Sequence, residues 1–400
     1  MKRIMNWTVR FNIIAWLAFL LMTACRYDPI PGEVHVSIDE VLREYAPDKR
    51  VALFDVEAQA QPRGLVLSGA TNMEAAKSAL LGRLEAQGIS AVDEIEVLPS
   101  EELGDYIYGV VRLSVCNIRS EARHSAELST QATLGALLRV HKEEEGWFLV
   151  QTPDDYFGWI DAGGFALMTA AEYEAWKAAD KVVYLPDFGF SLVGPEAGAP
   201  PVSDLLAGNI LRLVAVEEPY ARVAYPDGRE AFVPAADVMN YDRWLATREP
   251  AAEAILGTAR TFLGRPYLWG GTSGKGVDCS GFTKTVFYLN GLLLPRDASQ
   301  QVQTGVDIST DTTFSSLQPG DLLFFGRKAA EEQPEKIVHV AIYMGDGRII
   351  HSAGTVKINS LRRSDPDFNE YRLNTFVRAK RLLSSIGENG VQRLEETAYY

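Results

Sequence analysis

The sequence predicts a multidomain chain: a small α+β unit, two small β-barrels in tandem, and a larger C-terminal α+β domain. Two observations lead there, and a third bounds the partners. The 400 residues exceed one ordinary domain, while 47% hydrophobic and 23% charged residues are normal for folded protein. Short strand-like runs separated by turns fill the middle of the chain, and helical and strand periodicities mix at both ends. The net charge of -14 leaves no basic surplus to displace counterions from phosphates, so no nucleic-acid partner is expected.

Residues 1–24 read as a leader. Lys2, Arg3 and Arg10 are basic, FNIIAWLAFLLMTA (11–24) is apolar, and small Ala24 precedes Cys25. Met22-Thr23-Ala24-Cys25 resembles a lipobox. Cys25 is therefore expected to carry lipid and to anchor an exported protein to a bacterial membrane, facing the periplasm or the cell surface. Two further cysteines remain. Cys116, in the alternating run RLSVCNIRS, reads as a buried structural thiol.

Residues 33–111 form the α+β unit. RVALFDVEA and GLVLSGA are strand-like, a helix runs from 72 to about 87 with Gly88 stopping it, and DEIEVL suggests another strand. No catalytic residue types gather there, so a packing or spacer role is expected. Residues 112–168 change to regularly spaced strands in VRLSVCNIRS, ALLRVHKEEEGWFLVQT and YFGWIDAGGF, the pattern of a small barrel. EGWFLV followed by DDYFGWI resembles bacterial SH3-like domains. A second SH3-like copy is expected over 169–245, where NILRLVAVEE, YARVAYPDG and EAFVPAADV repeat the order without the tryptophans. A linker over 240–250 and an amphipathic helix over 251–263 then open the last domain, 250–385.

The chemistry concentrates in that domain. In VDCSGFTKTVFYLNGLLL (277–294), Cys279 stands where a helix begins and Asn290-Gly291 stops it. Unpaired N–H groups and the macrodipole at a helix N-terminus favour an anion, so the thiol is expected to ionise nearer neutral pH. A thiol nucleophile also needs a base. Of five histidines, His339 and His351 follow Cys279 in the same domain, in IVHVAIYMG and RIIHSAG, two strand-like runs joined by Gly345-Asp346-Gly347. Register decides whether they meet. A two-residue turn puts the two rings on opposite faces. A three-residue loop sets Met344 opposite Arg348 and His351 opposite Ala341, one diagonal from His339 on the same face. Only the second arrangement allows His339 to act as base with His351 orienting it. The spacing of the three residues fits no common closed zinc site, and no metal or cofactor is expected.

YLWGG, DCSGF, LPRDASQQ, LQPGDLLFF and HVAIYMGDGRIIHSAG resemble, in that order, the NlpC-type cell-wall cysteine peptidases over roughly 251–379. The resemblance implies a papain-like domain with Cys279 as nucleophile, His339 as base and His351 as third member. It further implies that Tyr267 helps hold the oxyanion together with the Cys279 N–H, and that Asp278 and Ser280 bind substrate besides capping the helix. The flanking modules resemble the dipeptidyl-peptidase VI branch, which cuts the γ-D-glutamyl-L-diamino acid bond of peptidoglycan-derived L-Ala-γ-D-Glu-L-diamino acid peptides with a free amine. A buried ammonium needs a carboxylate. Asp278 and Glu127 in HSAELSTQA are the expected partners, with Glu121 as the alternative acid, and Tyr156 in DDYFGWI matches a barrel tyrosine at the amine end. Two rival readings are a D,L-endopeptidase acting on intact wall and a non-catalytic wall-binding lipoprotein.

Overall fold

The computed structural model describes residues 30–397 apart from 63, 311, 312 and 332; the leader and Cys25 lie outside the described residues. The chain divides between Leu98 and Pro99 into two compact units.

In the first unit, α1 (Gly32–Tyr45) precedes β1 (Phe54–Gln61) and β2 (Gly64–Thr71), an antiparallel hairpin. The helix α2 (Glu74–Ala86) then crosses over to β3 (Ala91–Val97), which lies parallel to β2. Val34 and Val41 of α1 pack with Ala76, Leu80 and Leu84 of α2 over Val56, Leu67 and Ile95 of the sheet. The sequence reading had no α1. Val34, Val36 and Ile38 alternate as a strand would, yet Val34, Ser37 and Val41 fall on one helical face and are buried.

The second unit begins with two seven-stranded sheets. The first contains β4 (Tyr108–Val111), β5 (Val115–Arg119), β6 (Leu128–Thr133), β7 (Leu137–Glu144), β8 (Trp147–Gln151), β9 (Phe157–Asp161) and β10 (Phe165–Met168), in the order β10-β4-β7-β8-β9-β5-β6. After α3 (Ala170–Ala178) come β11 (Lys181–Tyr184), β12 (Phe188–Leu192), β13 (Pro201–Leu206), β14 (Ile210–Glu217), β15 (Tyr220–Ala224), β16 (Glu230–Pro234) and β17 (Val238–Asn240). Their order, read from β17, is β17-β11-β14-β15-β16-β12-β13. Strand for strand this is the topology of the first sheet, so the repeat survives the loss of the tryptophans. Tyr108–Val111, assigned from sequence to the end of the α+β unit, instead pairs with β7 and β10 inside the first barrel. The boundary moves back accordingly from 111 to Leu98.

The expected linker is also a packed element. Most of it forms α4 (Tyr241–Ala246), whose Tyr241 and Trp244 are buried among Val183, Ile210 and Leu293, because aromatic side chains of that size gain more from burial than from solvent. Next come α5 (Ala252–Thr261), a short hairpin of β18 (Thr272–Ser273) and β19 (Gly276–Val277), α6 (Cys279–Tyr288), β20 (Leu292–Leu293) and α7 (Ala298–Gln301). The sheet of this domain joins β21 (Val306–Ile308), β22 (Leu322–Arg327), β23 (Lys336–Gly345), β24 (Arg348–Ala353), β25 (Thr355–Ser360) and, after α8 (Glu370–Asn374), β26 (Phe376–Arg381). Its order is β21-β26-β22-β23-β24-β25. Phe282, Val286 and Phe287 of α6 are wholly buried in one core with Val340, Ile342 and Ile350 of the sheet. At about 2 kcal/mol for each such side chain, this contact fixes the helix that begins at Cys279 across the strands that carry His339 and His351.

Candidate active site

Cys279 is the first residue of α6, as its sequence setting suggests. Asp278 caps the helix, its Oδ1 accepting the Gly281 N–H at 2.7 Å. Gly281 has to be glycine there, since a Cβ would meet the Gly271 carbonyl oxygen at 1.9 Å. The helix start is thus pressed against the β18–β19 hairpin.

The histidine hairpin resolves the register question in a way neither simple loop anticipates. Its tip is the two-residue turn, with Gly345 opposite Arg348 and positive φ at Asp346 (51°) and Gly347 (72°). The register then shifts between Tyr343 and Gly345, so that Tyr343 faces Ile349 and Ile342 faces Ile350. A bulge at Met344 absorbs one residue and restores the register of the longer loop. The two imidazoles consequently share a face: His339 Nε2 lies 2.8 Å from His351 Nδ1, with the rings edge-on at 88°.

Hydrogen bonding fixes which nitrogen bears each proton. The backbone N–H of Arg372 donates to Asn369 Oδ1 at 3.0 Å, so the Asn369 amide must turn its Nδ2 to Asn359 Oδ1, 3.2 Å away. Asn359 Oδ1 is therefore an acceptor, and His351 Nε2, at 3.0 Å from it, must be the donor. Neutral His351 then offers a bare Nδ1, which accepts from His339 Nε2–H. His339 is left with a bare Nδ1, the atom a general base requires. Asn359 and Asn369 were missed in the sequence. Asn359 has a signal in hindsight, since it lies on the strand paired with that of His351, two registers along from its direct partner Lys357.

The electrostatics correct one expectation. Burial, followed by the neighbouring Asp278 charge, pushes the Cys279 thiol up to about 11; the N–H groups of Val340 and Ser280 and the Arg296 charge offset only part of this. The helix dipole acts, but desolvation and an adjacent carboxylate outweigh it. Burial, with the charge of Arg372 and the proximity of His351, holds His339 well below its usual value, and His351 is pushed down to about 4, chiefly by burial. Thiol and imidazoles are accordingly all neutral near pH 7. Cys279 is 7% exposed, His339 5% and His351 0%, so the group is covered on most sides. Val340, the residue after His339, brings its N–H to the sulfur. No hydrogen bond joins Cys279 to His339 among the described residues. Cys116 is a buried free thiol, as expected, pushed up to about 12 by burial.

Asp278 and Ser280 belong to a buried cluster organised by Arg296. This guanidinium, 1% exposed, bonds both Asp278 oxygens at 3.1 and 2.5 Å, Ser280 Oγ at 3.1 Å and Thr130 Oγ1 of the first barrel at 3.1 Å. Asp278 also accepts from the N–H groups of Gly270 and Gly281 and from Ser280 Oγ. Its charge is balanced and its lone pairs are taken, so it is a poor sole partner for an ammonium. Arg296 stands in LPRDASQQ, and its role was not assigned from sequence.

The first barrel also contacts the segment that precedes Cys279. Glu127, exposed, accepts from Trp269 Nε1 at 2.5 Å, whereas Glu121 is tied to Arg123 on the surface. Of the two candidate acids, only Glu127 is thus placed beside the YLWGG segment. Tyr156 is buried and donates to Asp297 Oδ2 at 3.2 Å, next to Arg296. Gln131 holds the β18 segment through bonds with Thr272 and Ser273, and a Cβ at Gly270 would meet the Leu128 carbonyl at 2.2 Å. Tyr267 is half-buried, with its hydroxyl raised by burial and then by Cys279 and Asp278.

Comparison with known proteins identifies two of these domains. Residues 264–374 match the NlpC/P60 family, and residues 118–164 match the bacterial dipeptidyl-peptidase Sh3 domain. The chain therefore carries an NlpC/P60 domain together with an SH3 domain of that type. A gamma-D-glutamyl-L-lysine dipeptidyl-peptidase of Bacillus cereus is 41% identical over 131 residues, spanning 33% of this chain and 37% of the relative. Dipeptidyl-peptidase 6 of Lysinibacillus sphaericus is 27% identical over 277 residues, spanning 65% of this chain and 94% of the relative. A crystal structure of an NlpC/P60 family protein from Bacillus cereus superposes with a TM-score of 0.58 at 25% identity, covering 69% of this chain and 99% of that one.

Proposed function

We propose that the protein is a cysteine peptidase that hydrolyses the γ-D-glutamyl-L-diamino acid bond of peptidoglycan-derived peptides bearing a free N-terminal L-alanine, releasing L-Ala-γ-D-Glu. The observation that carries this reading is the oriented chain His339–His351–Asn359 beside Cys279, with Glu127 of the SH3-like barrel held against Trp269 of the YLWGG segment.

In the reaction, the Cys279 proton passes to His339 Nδ1 as sulfur attacks the γ-carbonyl carbon. With the thiol raised to about 11, this transfer accompanies attack and does not precede it. The Cys279 N–H, at the first turn of α6, and the Tyr267 hydroxyl stabilise the oxyanion. His339 then gives its proton to the departing amine as the C–N bond breaks, leaving a thioester. Water, deprotonated by the same Nδ1, attacks the thioester; the sulfur leaves and regains its proton, and the dipeptide is freed. Glu127 receives the substrate ammonium, Asp278 adds a negative field fixed by Arg296, and Tyr156 closes that end of the groove.

The leader supports export and lipid attachment at Cys25, with the enzyme held at a membrane and facing the periplasm or the cell surface. The test of the substrate assignment compares L-Ala-γ-D-Glu-L-Lys with its N-acetylated form. Release of dipeptide from the free-amine peptide only is expected. Equal cleavage of both favours the D,L-endopeptidase reading, and no cleavage of either favours a wall-binding role.

A further inference from the structure

Arg372 contributes its backbone N–H to the chain that orients the histidines, yet its side chain remains unused by that mechanism. The guanidinium carbon lies 5.5 Å from the Phe325 ring centroid and 5.3 Å from that of Tyr371. Phe325 in turn lies 5.8 Å from the His339 ring, which brings the cation to the imidazole side of the site. Its field is felt at both histidines, and those of Cys279 and Tyr267 are felt at Arg372.

Neighbouring arginines are matched with acids: Arg296 with Asp278, Arg378 with Glu335, Arg381 with Asp321. The half-buried Arg372 side chain has no such ion pair and no hydrogen bond among the described residues. A guanidinium resting on aromatic faces keeps its planar fork of N–H donors in the shape that a carboxylate fills with two parallel bonds.

The direction of the reaction suggests which carboxylate. The substrate amine is assigned to the barrel side, at Glu127, whereas the leaving amine departs from the side of His339, which protonates it. In a tripeptide, the α-carboxylate of the leaving diamino acid lies on the carbon next to that amine. We propose that Arg372 binds this terminal α-carboxylate, so that the enzyme prefers a third residue that ends the chain. The inference rests on the γ-glutamyl peptidase reading above.

The experiment measures kcat/KM for L-Ala-γ-D-Glu-L-Lys and for its C-terminal amide, with wild type, Arg372→Gln and Arg372→Lys. A charge-assisted bidentate contact should give wild type a preference for the acid of roughly ten- to a hundred-fold. Arg372→Gln should collapse the acid-to-amide ratio toward one, and Arg372→Lys should keep part of it. The ratio is taken within each variant, so a loss of folded protein cancels. An unchanged ratio in Arg372→Gln, or no preference in wild type, overturns the proposal. A second pair of peptides, with D-Glu or its α-amide, serves as control. If Arg372→Gln alters only that discrimination, the cation binds the glutamyl carboxylate and the proposal is wrong. Should wild type cleave neither the acid nor the amide peptide, the peptidase reading falls, and this inference with it.

Discussion

Replacing Asn359 with alanine removes the acceptor at the far end of the His339–His351 chain, and this should slow the proposed reaction. His351 is wholly buried, and its Nε2–H donates to Asn359 Oδ1 at 3.0 Å. Without that oxygen the N–H is left unsatisfied in the interior, at about 1–3 kcal/mol. His351 can relieve this by moving its proton to Nδ1. That nitrogen then donates to His339 Nε2, which in turn moves the His339 proton to Nδ1, where it blocks the base. The active tautomer loses its advantage by roughly the same amount, about five- to 150-fold in kcat with little change in KM. Asn359→Asp keeps the acceptor and should lose less. Dipeptide release measured at saturating tripeptide gives kcat, and nitrogen chemical shifts of labelled histidine report the tautomer directly. An Asn359→Ala enzyme with kcat within twofold of wild type and an altered tautomer would refute the reasoning. So would Asn359→Asp if it were as impaired as the alanine variant.

Other expectations follow from the same electrostatics. Arg296→Met leaves Asp278 buried without its counter-charge and should lower stability by about 3–5 kcal/mol in urea denaturation, while adding Asp278→Asn should recover part of the loss. Cys279, raised to about 11, should react with iodoacetamide about tenfold faster per pH unit from 7 toward 10, whereas a plateau below pH 8 would show an ionised resting thiol. His141, His339 and His351 all have folded values below the unfolded one near 6.5, with His141 held at about 4 by burial. Their contribution to stability is therefore complete above pH 6.5 and is lost as pH falls below it, down to about 4 for His141 and His351, because the unfolded chain takes up protons first. Substituting His141 with phenylalanine should reduce the pH slope of the unfolding free energy in that window by about 1.4 kcal/mol per unit.

Local chemistry was what the sequence disclosed well. A capped helix start at Asp278-Cys279 and a Gly-Asp-Gly hairpin between two histidine strands are short-range signals, set by residues adjacent in the chain. The bulge at Met344 was not visible, because register over a turn depends on what the strands bury and not on the turn residues alone. Likewise α1 was hidden by β-branched residues whose helical face appears only once α2 packs on it. The largest omission was Arg296. An arginine within LPRDASQQ gives no local hint that it will be enclosed between Asp278, Ser280 and a barrel threonine more than 160 residues away in the chain. The sign of the Cys279 shift was misjudged for the same reason, since a helix terminus can be recognised in sequence but its degree of desolvation cannot.

The most direct measurement incubates purified protein with L-Ala-γ-D-Glu-L-Lys and follows L-Ala-γ-D-Glu by mass spectrometry, for wild type beside Cys279→Ala and His339→Ala. Release by wild type, falling to background in both variants, is the expected result. Equal release by the Cys279→Ala protein would mean that some other group performs the chemistry, and the sulfur–imidazole site would have to be abandoned.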